Sequence, residues 1–84
     1  MKARVTVYPR KEILDPQGKA IRGALDRIGF AEVREVRAGK SFEIDLGADD
    51  AATAGERLAA MCEKLLANTV VEEYRIEILG GAAE

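Results

Sequence analysis

The first residues of the chain alternate between apolar and polar side chains. Val5 and Val7 would lie on one face of an extended segment, with polar residues on the other face. A period of two residues is typical of a β-strand that buries one face. The pattern therefore predicts a first strand over residues 4–8, which Pro9 ends.

A helical pattern follows a short loop. Asp15 and Pro16 are typical of a helix N-terminus, because aspartate accepts hydrogen bonds from free N–H groups and proline suits the first turn. Gly29 can adopt the left-handed conformation that ends a helix. Between them, apolar residues recur at helical spacing at Ile21, Ala24, Leu25 and Ile28. The sequence predicts a first helix with one apolar face, beginning at Pro16 and ending before Gly29.

The central segment, residues 31–46, has the composition of β-strands and is interrupted by Gly39. Its second half alternates between apolar and polar residues from position 42 onward. We prefer two strands joined by a three-residue loop, Arg37-Ala38-Gly39, because this loop places Val36 on the same face as Phe42. Gly39 would then be left-handed and part of a bulge. One long bent strand through Gly39 is the alternative, and the sequence does not separate the two.

The last part of the chain predicts a second helix and a final strand. Asp49 or Asp50 can cap this helix, and Asn68 suits a left-handed stop. Apolar residues repeat with helical period within it, at Ala54, Leu58, Met61, Cys62, Leu65 and Leu66. Residues 73–78 then alternate again, which predicts the final strand.

The order strand, helix, strand, strand, helix, strand indicates an α+β fold. Its simplest form is a ferredoxin-like βαββαβ domain, in which an antiparallel sheet carries both helices on one face. We expect a single domain over residues 1–79, followed by a flexible C-terminal tail at residues 80–84. The opposite face of the sheet would carry charges of both signs, and it could be solvated or could meet a second copy.

Composition narrows the choice of partners. The formal net charge of -2 provides no positive field to attract phosphate backbones, so we expect no nucleic acid partner. No stretch approaches the ~20 apolar residues of a membrane span, and the N-terminus has no signal-peptide core, which together predict a cytoplasmic protein. A chain of 84 residues builds only a small core, so oligomerisation would add stability.

The residues that usually carry chemistry are scarce. Histidine is absent, which removes the commonest general base and metal ligand. Cys62 lies on the apolar stripe of the second helix, where a buried core residue is the favoured interpretation. Asp49 and Asp50, together with Asp45, are best explained as a solvated turn and a helix cap. We expect no catalytic, metal or cofactor site in this chain.

Five short segments, in a fixed order, carry a resemblance to a known family. They are DPQGKA at residues 15–20, LDRIGF at 25–30, VRAGK at 36–40, MCEKLLAN at 61–68 and VVEEYRIEI at 70–78. Together they resemble the PurS family, the small subunit of phosphoribosylformylglycinamidine synthase. Thr69 stands where that family usually has proline, which affects only the rigidity of the local turn.

The resemblance implies a subunit of a complex that makes formylglycinamidine ribonucleotide in purine biosynthesis. A PurQ-like glutaminase would release ammonia from glutamine, and a PurL-like synthetase would activate the substrate with ATP and magnesium. The PurS-like subunit, as a homodimer or a dimer of dimers, would bridge them without catalytic groups. We expect its contact loops to include Asp15, Gln17, Gly18, Lys19, Gly39, Lys40 and Asn68.

Two other classes of function would use the loop before the first helix as an anion-binding site. In a small-ligand regulatory module of the dimeric ferredoxin-like type, Arg10, Lys11 and Lys19 would bind an anionic group near the helix N-terminus. In an acylphosphatase-like enzyme, Arg10 would bind phosphate there. Gly18 stands alone rather than in a glycine-rich cradle, so capping and solvation explain this loop better than a phosphate site.

Overall fold

A computed structural model describes residues 1–80 of the chain, and the rest of the predicted tail, residues 81–84, lies outside this range. The regular elements are β1 (Lys2–Pro9), α1 (Pro16–Arg27), β2 (Lys40–Asp45), α2 (Ala51–Met61) and β3 (Glu72–Gly80). One π-helical turn, Cys62–Leu66, extends α2. Gly80, which the predicted tail included, belongs to β3.

The strands form an antiparallel sheet in the order β2-β1-β3. Val5 lies at its centre, because it pairs with Phe42 on one side and with Ile76 on the other. The alternation predicted for the first strand is confirmed, since Ala3, Val5 and Val7 are completely buried. This face of the sheet therefore forms one half of the core.

Helix α2 supplies the other half of the core. It packs against β3. Ala54 and Leu58 of α2, and Cys62 of the π-helical turn, are completely buried in the same cluster as the β1 residues. Asp50 is the N-cap, and its side chain accepts a hydrogen bond of 2.7 Å from the backbone N–H of Thr53. Of the two predicted capping residues, Asp49 and Asp50, it is therefore Asp50 that caps α2.

The two predicted left-handed helix stops have different outcomes. Gly29 is confirmed, because its φ is 111° and the N–H of Phe30 bonds back to the carbonyl of Leu25 at 2.9 Å. The left-handed stop at Asn68 is wrong, since no non-glycine residue among the described positions has positive φ. The π-helical turn ends instead at Ala67, which is extended at φ -130° and ψ 144°.

The α+β class and the antiparallel sheet are confirmed, but the centre of the chain differs from the preferred hairpin. Residues 31–39 contain no strand, and Gly39 is not left-handed, because Gly29 is the only glycine with positive φ in the described part of the chain. Gly39 instead packs closely on β1, where a β-carbon would overlap the carbonyl oxygen of Val7. The chain therefore enters β2 from a segment that forms no strand of its own.

We call residues 10–39 the arm, because α1 lies away from the sheet and the segments on either side connect it to β1 and β2. The apolar stripe predicted to pack on the sheet remains open, with Ile21 38% and Ile28 69% exposed. The radius of gyration is 16.0 Å, whereas a compact domain of this length has about 12 Å. Within residues 1–80, α2 is the helix that covers the sheet, and α1 does not pack beside it.

Candidate functional site

The arm is attached to the sheet through Arg10. Its backbone N–H donates to the carbonyl of Val71 at 3.0 Å. Its side chain donates twice to the carbonyl of Thr69, from Nε at 3.3 Å and from Nη2 at 2.9 Å. The guanidinium predicted to bind an anion in the regulatory-module and phosphatase alternatives thus binds the turn before β3.

Arg37 makes the second attachment, at the other end of the arm. Its Nη1 donates to the carbonyl of Pro9 at 3.1 Å and lies 3.8 Å from a carboxylate oxygen of Glu73. Its guanidinium also lies over the ring of Tyr8, 4.7 Å from the centroid. A cation over an aromatic face is attractive, so three interactions hold this end of the arm against β1 and β3.

The start of α1 is joined to the end of the arm by Asp15. This residue occupies the predicted N-cap position, but its side chain makes no capping hydrogen bond. Its Oδ2 instead accepts a hydrogen bond of 2.9 Å from the backbone N–H of Ala38. This bond, with smaller contributions from the backbones of Gly18 and Gln17, holds the pKa of the carboxyl below its ordinary value.

A cleft of about 600 Å³ opens between the start of α1 and residues 34–37. Arg22 helps to shape it, because its Nε donates to the carbonyl of Arg34 at 3.2 Å. Five cationic residues line the cleft, Lys11, Lys19, Arg22, Arg34 and Arg37, together with the acidic residues Glu12, Asp15 and Glu35. The cationic surplus favours an acidic surface or an anionic group as its partner.

The predicted contact residues fall in three places. Asp15, Gly18 and Lys19 line the cleft of the arm, beside Gln17, which is exposed on α1. Gly39 and Lys40 line a second cleft of about 470 Å³ that also includes Tyr8 and Arg75. Arg37 lines both clefts, so they are neighbours.

Asn68 lies apart from both clefts, in the turn before β3. Its side-chain oxygen accepts a hydrogen bond from the N–H of Val70 at 3.2 Å, and its own N–H donates to the carboxylate of Glu72 at 2.7 Å. The next residue, Thr69, is the acceptor of Arg10. Asn68 therefore shapes the turn to which the arm is attached.

Sequence reasoning missed three of the cations that line the arm cleft, Arg22, Arg34 and Arg37. They come from two segments that are neighbours only because residues 34–36 return along α1. The available signal was the density of arginine in residues 34–37, but a sequence does not show which helix turn such a segment will face.

Two features bear on the chemistry available to the described residues. No group of three or more metal-ligating side chains is found within residues 1–80. Burial, with a smaller contribution from Glu63, raises the pKa of the Cys62 thiol, which keeps it in the unreactive protonated form. No helix in this part of the chain has the length and apolarity needed to cross a membrane.

The chain was compared with known families and proteins. The family model PurS, described as phosphoribosylformylglycinamidine (FGAM) synthase, matches residues 2–80. The phosphoribosylformylglycinamidine synthase subunit PurS of Mycobacterium leprae is 51% identical over 75 residues, which are 89% of this chain and 91% of the relative. These matches cover almost the whole described length of the protein.

Solved structures agree with the sequence matches. PurS of Bacillus subtilis superposes with a TM-score of 0.79 at 43% identity, covering 90% of this chain and 94% of the other. A chain in the structure of PurLQS from Thermotoga maritima has a TM-score of 0.82 at 34% identity, covering 90% of this chain and 93% of that one.

Proposed function

This chain belongs to the PurS family, and we propose that it is the non-catalytic subunit that joins the synthetase and the glutaminase of phosphoribosylformylglycinamidine synthase. It assembles with a PurL-like synthetase, with a PurQ-like glutaminase and with copies of itself. Its role is to position two active sites that lie on other chains, in the purine biosynthesis pathway.

One observation carries this proposal: the similarity to a chain in the PurLQS structure of Thermotoga maritima, which covers 90% of this protein. A fold shared over nearly its whole length preserves the shape of the surfaces available for docking. The cationic cleft and the exposed apolar side chains of the arm are the surfaces on this protein that suit such contacts.

We further propose that the contact loops are the ones identified in the sequence. Asp15, Gln17, Gly18 and Lys19 would present the start of α1 to a partner. Gly39 and Lys40 would present the edge of the second cleft, and Asn68 would act through the turn that it shapes. A charged cleft of this kind docks by electrostatic complementarity, which affects the rate and orientation of association more than raw affinity.

The partners would supply every cofactor. The glutaminase releases ammonia from glutamine, and the synthetase uses ATP and magnesium to activate formylglycinamide ribonucleotide for attack by that ammonia. A bridging subunit contributes proximity, which converts an encounter between two proteins into a step within one assembly. We place this assembly in the cytoplasm.

The test is reconstitution with the synthetase and the glutaminase of the same organism. We expect the three proteins to co-purify, and we expect omission of this chain to abolish glutamine-dependent synthesis while ammonia-dependent synthesis continues. A failure of both partners to co-purify with this chain would contradict the proposal. Equal loss of both activities would indicate a structural role in the synthetase rather than a bridge.

A charge variant tests the cleft. The double variant Lys19→Ala/Arg22→Ala removes two cations that line it, and we expect weaker, less salt-sensitive binding to the partners. The control is Lys2→Ala, which removes an exposed cation on β1 outside the cleft. Equal binding by both variants would show that the cleft does not contact a partner.

Calorimetry separates the bridging role from the regulatory-module alternative. The regulatory-module alternative requires Arg10, Lys11 and Lys19 to bind one anionic group. Lys11 and Lys19 line the arm cleft, but the Arg10 side chain is hydrogen-bonded to the carbonyl of Thr69. We therefore expect no binding heat when the isolated protein is titrated with purine-pathway nucleotides. A saturable heat that Lys19→Ala abolishes would favour the alternative.

A further inference from the structure

The polar face of the sheet, on the side away from α2, carries its charges in rows that cross the three strands. Arg4 is at the centre of one row, between its register partners Glu43 on β2 and Glu77 on β3. Its guanidinium lies 3.4 Å from the carboxylate of Glu43 and 3.7 Å from that of Glu77. The cation of this row is therefore already paired with acids of its own chain.

The next row, two residues along the strands, has a cation without such a pair. Thr6 is opposite Ser41 on one side and Arg75 on the other. Side chains in register on one face of a sheet are close neighbours, so hydroxyl groups lie beside the guanidinium of Arg75. Within residues 1–80, Arg75 takes part in no ion pair.

The acids that flank Arg75 along β3 are engaged by other arginines. Glu73 lies 3.8 Å from Arg37, and Glu77 lies 3.7 Å from Arg4. Both glutamates are two residues from Arg75 and share its face of the strand. The charge of Arg75 is therefore available to a ligand from outside, while the two carboxylates beside it limit how much negative charge that ligand can carry.

Arg75 lines the second cleft, whose volume is about 470 Å³. Three hydroxyl side chains also line it, those of Thr6, Tyr8 and Ser41. Lys40 contributes to the lining, but its ammonium lies 5.9 Å from the ring centroid of Phe42, which packs against the core on the other face of the sheet. In the described part of the chain, no acidic residue lines this cleft.

One unpaired guanidinium with hydroxyl groups beside it matches a carboxylate. The planar guanidinium can donate two parallel hydrogen bonds to the two carboxylate oxygens, and hydroxyl donors can satisfy the remaining lone pairs. Phosphate groups are typically bound by clusters of arginine, and Glu73 and Glu77 would repel a more highly charged anion. The cleft has room for more than one side chain, which suits a segment of a protein.

We propose that the second cleft binds a single aspartate or glutamate side chain on a segment of the synthetase or the glutaminase. Arg75 binds its carboxylate, and Thr6 and Ser41 donate hydrogen bonds beside it. The inference rests on the proposed bridging function and names the chemistry of one of its contacts. These three residues lie outside the contact loops identified in the sequence, because only the pairing of the strands brings them together.

Two matched variants test the contact in the full-length protein. Arg75→Gln and Arg4→Gln remove the same charge from the same face of the sheet, but Arg4 is paired within the chain. We expect Arg75→Gln to weaken binding to one partner enzyme by about 30-fold or more, because it leaves a docked carboxylate unpaired. Arg4→Gln should weaken binding by less than about 5-fold. Equal effects of the two variants would overturn the proposal.

A zero-length cross-link identifies the carboxylate directly. A carbodiimide joins a carboxylate to a primary amine as an amide, and the Arg75→Lys variant keeps the positive charge while it places such an amine in the cleft. We expect mass spectrometry to find a link from position 75 to an aspartate or glutamate of one partner enzyme. The control Arg4→Lys should link only to Glu43 or Glu77 of its own chain. An intact complex without an intermolecular link from position 75 would contradict the proposal.

Other occupants of the cleft give different results. Saturation of the isolated protein by inorganic phosphate below about 1 mM, followed by NMR at constant ionic strength, would assign the cleft to a free anion if Arg75→Gln also bound both partners normally. A change in oligomeric state caused by Arg75→Gln, measured by light scattering, would assign it to a second copy of the chain. Either result overturns the proposal.

Failure of this contact is distinguishable from failure of the bridging role. If the wild-type protein binds neither partner enzyme, the bridging role is contradicted, and the carboxylate contact with it. If the wild-type protein binds both and Arg75→Gln binds them equally well, only the carboxylate contact is contradicted. Circular dichroism shows whether each variant is folded.

Discussion

The carboxylate of Asp15 accepts a hydrogen bond from the backbone N–H of Ala38, and this bond joins the two ends of the arm across 23 residues of sequence. Gly18 lies beneath it, because a β-carbon there would meet the same carboxylate and the carbonyl of Val36. Together with Arg10 and Arg37, this contact determines the direction in which α1 projects.

Protonation of Asp15 should release this bond. Because the folded pKa lies below the ordinary value of 3.8, the carboxylate stabilises the fold above about that pH, and this contribution is lost as the pH falls through the lower folded value. We expect the Asp15 carboxyl carbon to titrate in NMR spectra below pH 3.8, the ordinary value for aspartate. A titration of Asp15 at or above that pH would contradict the structure.

Two glycines of α1 should respond oppositely to alanine. In Gly18→Ala the new methyl group overlaps the Val36 carbonyl, and we expect a loss of about 1–3 kcal/mol in the free energy of unfolding. In Gly23→Ala the methyl group meets only the end of the Arg27 side chain at 3.5 Å, and we expect a gain of about 0.4–1 kcal/mol. Urea denaturation measures both; a stabilising Gly18→Ala would refute the close packing.

Leu58 should contribute more to the free energy of unfolding than any exposed leucine or valine. Leu58 is completely buried between α2 and the sheet, so Leu58→Ala should reduce the free energy of unfolding by about 2–5 kcal/mol. Val70→Ala, at a position that is 81% exposed, should change it by less than about 0.5 kcal/mol. Similar midpoints of thermal unfolding for the two variants would be inconsistent with this core.

The Cys62 thiol should be protected from reagents. It is completely buried, and desolvation raises its pKa, so both access and thiolate formation are restricted. We expect slow reaction with Ellman's reagent in the native protein and rapid reaction in denaturant. The variant Cys62→Ala/Val70→Cys places a thiol at an exposed position and should react rapidly without denaturant.

The hydroxyl of Tyr74 should titrate at a higher pH than an ordinary tyrosine. It donates a hydrogen bond of 2.8 Å to the carboxylate of Glu63, and this bond, followed by desolvation, raises its pKa above the ordinary value of 10.0. Its contribution to stability is present below that pH and is lost as the pH rises through the folded pKa. Ultraviolet titration should show a step above pH 10.0 that disappears in Tyr74→Phe and moves to lower pH in Glu63→Gln.

Much of the local structure was accessible from the sequence because short-range patterns decide it. The alternation around Val5 located β1, and Pro16 and Gly29 bounded α1. Asp50 was one of two capping candidates. Each of these features depends on backbone preferences or side-chain periodicity within a few residues, which the sequence states directly.

The two errors, at Gly39 and at Asn68, have different causes. Gly39 has a β-type context on both sides, and a left-handed turn there would have been locally favourable, but close contact with Val7 on β1 determines its conformation. Asn68 was assigned to a helix stop, whereas its hydrogen bonds to Val70 and Glu72 shape the turn before β3. At Gly39 a contact outside the segment therefore overrides local propensity, whereas at Asn68 hydrogen bonds only two and four residues along the chain favour a turn over a left-handed helix stop.

The sequence by itself determined both helices, the three strands that form the sheet, their apolar faces and the family, because periodicity and motif order are local properties. Only the tertiary structure decided that the apolar face of α1 does not pack on the sheet of its own chain. Arg10, Arg37 and the Asp15–Ala38 bond direct the arm away from its own core. An amphipathic pattern shows that a face requires burial, and it does not show which surface will provide it.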